Sequence, residues 1–229
     1  MKNQYCQIIN TSYSSNLKIP FYQIYFNNGT KGVKVNSNSY YLKSFVNKNE
    51  NITKAKIVID YKAKYIQGLF KGYQYIEYIN FIRFDRTNIT NMSYLFCDCS
   101  SLKEINFTNF NTDNVTDMNN MFYGCSLLNK INLSNFNTNN VTNMKSMFCR
   151  CSSLKVLDLS KFNTNNVTDI YHMFFDCFSL NKLNINNFNF NKALLFIICL
   201  VDYLMKWKKQ LSLNLRVILK DMHVFNYIL

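Results

Sequence analysis

Residues 134–159 read SNFNTNNVTNMKSMFCRCSSLKVLDL, and nearly the same phrase stands 26 residues away on either side. That period organises the chain. Phe70, Phe96, Phe122, Phe148 and Phe174 fall in one column, and Tyr73, Cys99, Cys125, Cys151 and Cys177 in the next. Ile76, Leu102, Leu128, Leu154 and Leu180 follow, then Ile79, Ile105, Ile131, Leu157 and Leu183. Phe81, Phe107, Leu133, Leu159 and Ile185 continue the series, and Phe84, Phe110, Phe136, Phe162 and Phe188 close it. Self-similarity at a fixed period of this size is the signature of a stacked-repeat architecture.

Each unit has two halves. In Leu102-Lys103-Glu104-Ile105-Asn106-Phe107, apolar Ile105 and Phe107 flank polar Asn106, the alternation of a half-buried strand. Asn109 to Asn114 is turn chemistry, because Asn and Asp side chains bond nearby backbone. Val115, Met118, Met121 and Phe122 then recur at the spacing of a short helical face. Asn114 is the expected N-cap, Asp117 lies in the first turn, and Gly124 can end it in a left-handed conformation. Asp98, Arg150 and Asp176 stand at the positions matching Gly124 and lack that ease.

A unit this short cannot bury its own apolar columns, whereas stacked units turn each column into an internal ladder. The fold class expected is therefore an α/β repeat solenoid of the leucine-rich-repeat kind. Its 26-residue units would be a strand plus a short helix, behind a β-like N-terminal cap. The expected divisions are an irregular β-rich region over 1–51 and a repeat array over 52–192. The array would hold a variant first unit at 52–68, regular units at 69–94, 95–120, 121–146 and 147–172, and a partial unit at 173–192. A non-repeat basic and apolar tail occupies 193–229.

The phrases Ser134 to Phe148 and Cys151 to Ser160 closely resemble the BspA-like leucine-rich repeat. The resemblance spans about residues 66–192. It implies a surface protein that acts in adhesion and protein binding, not catalysis, with a cell-surface or extracellular location. Against that location, Met1 to Ile9 lacks the apolar run of about 7–15 residues that a secretory signal carries. No stretch reaches the ~20 apolar residues of a membrane span; the best, Ala193 to Met205, is short and contains Asp202.

The ends differ from the middle. Phe21 to Phe26 and Lys31 to Val35, joined through Asn28-Gly29, read as a hairpin. At the other end the register breaks after Asn189. Back-translated with AT-rich codons, Ile198 to Asp202 reads in another frame as Met-Phe-Ser-Gly, the motif the period places there. The tail is therefore expected to arise from a frame slip near codon 190.

With 48% hydrophobic residues the chain is not a disordered polymer, and 5 Gly with 1 Pro excludes collagen-like and Pro-rich classes. The net charge of +13 invites a nucleic-acid reading. Yet residues 1–68 carry 10 Lys against 2 acids, whereas residues 69–192 carry 11 Lys and Arg against 9 acids. The repeats are nearly neutral and show no basic stripe, so a nucleic-acid groove is not expected.

Chemistry is sparse. Cys97-Asp98-Cys99 and Cys149-Arg150-Cys151 lie two units apart, about 10 Å along a stack by strand spacing, and lack the C-x₂₋₄-C pairs of zinc sites. Cys99, Cys125, Cys151 and Cys177 instead occupy an apolar column as small hydrophobes. His172 sits at a variable position, no phosphate-binding glycine motif is present, and no nucleophile–histidine–acid set recurs. No enzyme activity, cofactor or metal is expected. Sequons at Asn106, Asn114, Asn132, Asn140 and Asn166, among others, follow largely from the Asn- and Thr-rich composition.

The binding candidate is the polar column between the two apolar strand positions: Asn80, Asn106, Asn132, Asp158 and Asn184. Repeat arrays use such faces to hold extended partners. The expected function is a non-enzymatic binding or adhesion module whose partner is a protein or a glycan. The alternatives are a truncated or frame-slipped copy without its own activity, and an intracellular interaction scaffold.

Overall fold

The structure is a computed structural model that describes residues 5–11, 22–26, 31–35, 54–60 and 66–189, apart from 75, 85–88 and 109. The tail with its frame-slip reading and the Asn28-Gly29 turn lie outside the described residues. The strands are β1 (Tyr5–Thr11), β2 (Tyr22–Phe26), β3 (Lys31–Val35), β4 (Lys54–Asp60), β5 (Tyr78–Arg83), β6 (Glu104–Asn106), β7 (Val156–Asp158) and β8 (Lys182–Asn184). One sheet has the order β3-β2-β4-β1-β5-β6, and β7 pairs with β8 in another. The expected hairpin partners β2 and β3 do pair antiparallel. β1 lies between β4 and β5, parallel to both, so the first strand of the chain separates the segment expected as a variant first unit from β5.

The 26-residue offset is written into the pairing. Ile79 faces Ile105 in the β5–β6 pair, and Leu157 faces Leu183 in β7–β8. Isolated parallel bridges link Asn91 to Asp117, Asp117 to Asn143 and Asn143 to Asp169. The apolar columns follow the same step. Phe70, Phe96, Phe122, Phe148 and Phe174 are buried, and neighbouring rings stack with centroids between 5.4 and 6.2 Å apart. Offset stacks at this spacing add to the roughly 1.5–3 kcal/mol that burying each such side chain contributes.

The short helix expected in each unit is not formed; no helix occurs among the described residues. The segment is a run of β-turns. Leu95, Cys97 and Cys99 donate their N–H groups to the carbonyls of Met92, Tyr94 and Phe96, three residues back (3.3, 3.0 and 3.1 Å). The intervening Tyr94, Phe96 and Asp98 donate instead to Asn119, Met121 and Tyr123 of the next unit (2.9, 2.9 and 2.6 Å). A helix would need every N–H for a bond four residues back, and here every second one is committed between units. The alternation recurs at 120–125 and 146–151.

Left-handed backbone enforces these turns at two positions per unit. One column is Gly68, Tyr94, Asn120, Ser146 and His172; the other is Gly72, Asp98, Gly124, Arg150 and Asp176. Their φ angles lie between 52° and 72°. The left-handed reading of Gly124 thus extends to every matching residue, including those whose side chains make it costly, at roughly 1–2 kcal/mol each. Asn114 and Asp117 accordingly cap no helix. Asp117 Oδ1 accepts the N–H of Asn119 at 2.9 Å, closing a turn.

Candidate functional site

The polar strand column is held by its own chemistry. Asn106 Oδ1 accepts the N–H of Thr108 at 2.9 Å, and Asn132 Oδ1 that of Ser134 at 3.0 Å. Asp158 Oδ1 accepts the N–H of Ser160 at 2.9 Å, and Asn184 Oδ1 that of Asn186 at 3.3 Å. Each side chain therefore closes an Asx turn, and at Asn106, Asp158 and Asn184 that turn ends the strand, the local bond that makes Asn and Asp suited to this position. The Ser160 N–H, followed by the Ser160 hydroxyl, holds the Asp158 carboxyl below its usual value.

Asn106, Asn132 and Asp158 are exposed, and Asn80 and Asn184 are half-buried. Asn80 faces Asn106 across β5–β6, and Asp158 faces Asn184 across β7–β8. Asn132 pairs with neither neighbour, because residues 130–132 form no strand. Among the described residues no backbone hydrogen bond joins Glu104–Phe107 to Lys130–Leu133. Ile131, expected in the core beside Ile105 and Leu157, is only half-buried. Its flank, Asn129-Lys130, is poor in strand formers. A hollow of about 240 Å³ opens there, lined by Glu104, Asn106, Thr108, Lys130, Asn132 and Asn135.

A second polar ladder escaped the sequence reading. Thr112, Thr138 and Thr164 are buried to 1% exposure. The Thr138 hydroxyl donates to the Asn163 carbonyl at 3.0 Å and accepts the Asn163 N–H at 2.8 Å. Beside it, Asn137, Asn163 and Asn189 donate their side-chain amides to Asp113, Asn139 and Asn165 (2.9, 2.8 and 2.6 Å). The signal was the Asn-Thr pair at 111–112, 137–138 and 163–164, always one residue after a core Phe.

A family model described as "Mycoplasma protein of unknown function, DUF285" matches residues 64–188. The chain belongs to the DUF285 family. The matched segment takes in every left-handed residue from Gly68 to Asp176 and ends at the core Phe188. No curated protein and no solved structure matches the chain.

The thiols of the repeats in this DUF285 chain point inward among the described residues. Cys99, Cys125, Cys151 and Cys177 are buried, and each thiol donates to the carbonyl of a core Phe in the preceding unit at 3.0–3.1 Å. Burial pushes the Cys125 and Cys151 thiols well above their ordinary range. Burial, then the Asp98 charge and its hydrogen bond, push Cys97 up to about 12. A protonated thiol is a poor nucleophile and a poor metal ligand. His172 packs between Tyr171 and Phe175, with ring centroids 3.7 and 5.1 Å away. Among the described residues no three metal-ligating side chains converge, and no helix is long and apolar enough to cross a membrane.

Proposed function

We propose that this chain is a non-enzymatic binding module of the BspA-like surface type, built as a leucine-rich-repeat solenoid. The strand flank carrying Asn80, Asn106, Asn132, Asp158 and Asn184 is its contact face, and the partner is a protein or a glycan. The observation that carries the reading is that these polar side chains recur at each repeat position, and those from 106 on are fixed by a bond to backbone two residues further. Preset side chains lose little conformational freedom when a partner docks, which favours recognition.

The test has two arms. Protease shaving of intact cells followed by peptide mapping should release peptides of the array; their full protection would favour the intracellular scaffold. Adhesion of the purified chain to host-derived matrix should fall when Asn106, Asp158 and Asn184 are all replaced by Lys, and unchanged adhesion would remove the strand flank as the contact face.

A further inference from the structure

On the strand flank Lys130–Leu133 bond to neither β6 nor β7, and the hollow opens on the β6 side. On the turn side the same two units stay tied: Phe96 to Met121, Met118 to Asn143, Asn120 to Lys145, and Thr142 to Thr116. The opening is thus local to the strand flank, and it leaves backbone groups of 130–132 without partners in the neighbouring strand.

The lining has a defined polarity. Asn106 and Asn132 spend their Oδ1 atoms on Thr108 and Ser134, so the Nδ2 groups remain as donors. Asn135 spends its Nδ2 on the Thr108 carbonyl at 3.2 Å, which leaves its Oδ1 as an acceptor. Glu104 adds acceptors and Lys130 adds donors, both exposed and of opposite charge. Half-buried Ile131 supplies an apolar patch among them. A ligand for this hollow must donate and accept within a few ångströms, carry little net charge, and present a C–H face.

We propose that this hollow is a binding site for a single neutral sugar ring, the terminal residue of a glycan. Sugar hydroxyls donate and accept alike, the ring's C–H face suits Ile131, and a hexose fits within about 240 Å³. A zwitterion such as a free amino acid would depend on Glu104 and Lys130, whose exposed charges attract only weakly through water. The site deepens the strand-flank reading above and rests on it for its biological purpose.

The test titrates the ¹⁵N-labelled full chain with the methyl glycosides of glucose, galactose, mannose and N-acetylglucosamine, each at millimolar concentration. At least one should give saturable shifts in the Asn106 and Asn132 side-chain amides and in the backbone amides of 130–132. Asn106→Asp and Asn132→Asp, alone and together, exchange a donor for an acceptor while keeping the turn-closing oxygen. Asp158 already holds its turn this way, so folding should persist. The double variant should weaken binding about tenfold or more, and Asn165→Asp, outside both the hollow and the contact face and keeping the oxygen that accepts from Asn189, should not. No saturable shift with any of the four sugars, shifts with glycine or glutamate instead, or undiminished binding by the Asp variants would each overturn the proposal. Adhesion that persists without sugar binding would remove the hollow and leave the strand flank standing.

Discussion

The hydroxyl of Thr112 donates to the carbonyl of Asn137 at 2.9 Å and accepts the N–H of the same residue at 2.8 Å. One buried side chain thus closes both backbone groups of a residue in the next unit. Thr138 repeats the arrangement with Asn163. Thr138→Val keeps the shape and leaves both Asn163 groups unpaired in the interior, so it should destabilise the chain by about 1–3 kcal/mol. Thr138→Ser should cost less. Urea unfolding followed by circular dichroism checks the order; equal stability of the Val variant would deny the hydroxyl its role.

Gly124 carries a φ of 71°, and a Cβ there would run into Asp98 Oδ1. Gly124→Ala adds left-handed strain and displaces the Asp98 carboxylate, a loss of roughly 1–2 kcal/mol. Gly124→Ala combined with Asp98→Gly relieves the clash and one strained residue, so it should recover part of the loss. Thermal unfolding of the three variants measures the coupling.

The Phe ladder is the core's largest contributor. Phe122 is fully buried between Phe96 and Phe148, and Phe122→Ala should cost roughly 3–5 kcal/mol. Val156 is 48% exposed, and Val156→Ala should change stability by no more than about 0.5 kcal/mol. Paired denaturant curves decide between a stacked core and a loose one, in which the two costs would converge.

The buried thiols set an alkaline limit. Their folded pKa values lie above the value in the unfolded chain, near 9, so the native state holds protons that the unfolded state releases. Their contribution is complete below pH 9 and is lost as pH rises above it; for Cys97 the loss runs to about pH 12. Stability should decline from pH 9 upward, less steeply in Cys125→Ala. Iodoacetamide at pH 8 should leave Cys99, Cys125, Cys151 and Cys177 unmodified until denaturant is added, as peptide mass mapping would show.

The apolar columns were legible because burial acts on residue type, and a 26-residue step repeats one burial pattern: Glu104-Ile105-Asn106 and Val156-Leu157-Asp158 are both exposed, buried, exposed. The turns were not legible, since Val115, Met118, Met121 and Phe122 show one spacing whether they lie on a helix or on overlapping β-turns. What separates the two is left-handed backbone. Its usual mark, glycine, stands at Gly68, Gly72 and Gly124, but Tyr94, Ser146 and Arg150 hide it elsewhere. Within the candidate site, the column from Asn80 to Asn184 could be read from alternation alone. The loss of the strand at 130–132 could not, because it depends on pairing between units.

Each 26-residue unit bonds to the next through its turn segment. Hydrogen-bond scalar couplings in the ¹⁵N,¹³C-labelled chain test it directly. Couplings are expected from the N–H of Tyr94, Phe96, Phe122 and Phe148 to the carbonyls of Asn119, Met121, Met147 and Met173 respectively. Couplings from those N–H groups to carbonyls four residues back, as in a helix, would contradict it.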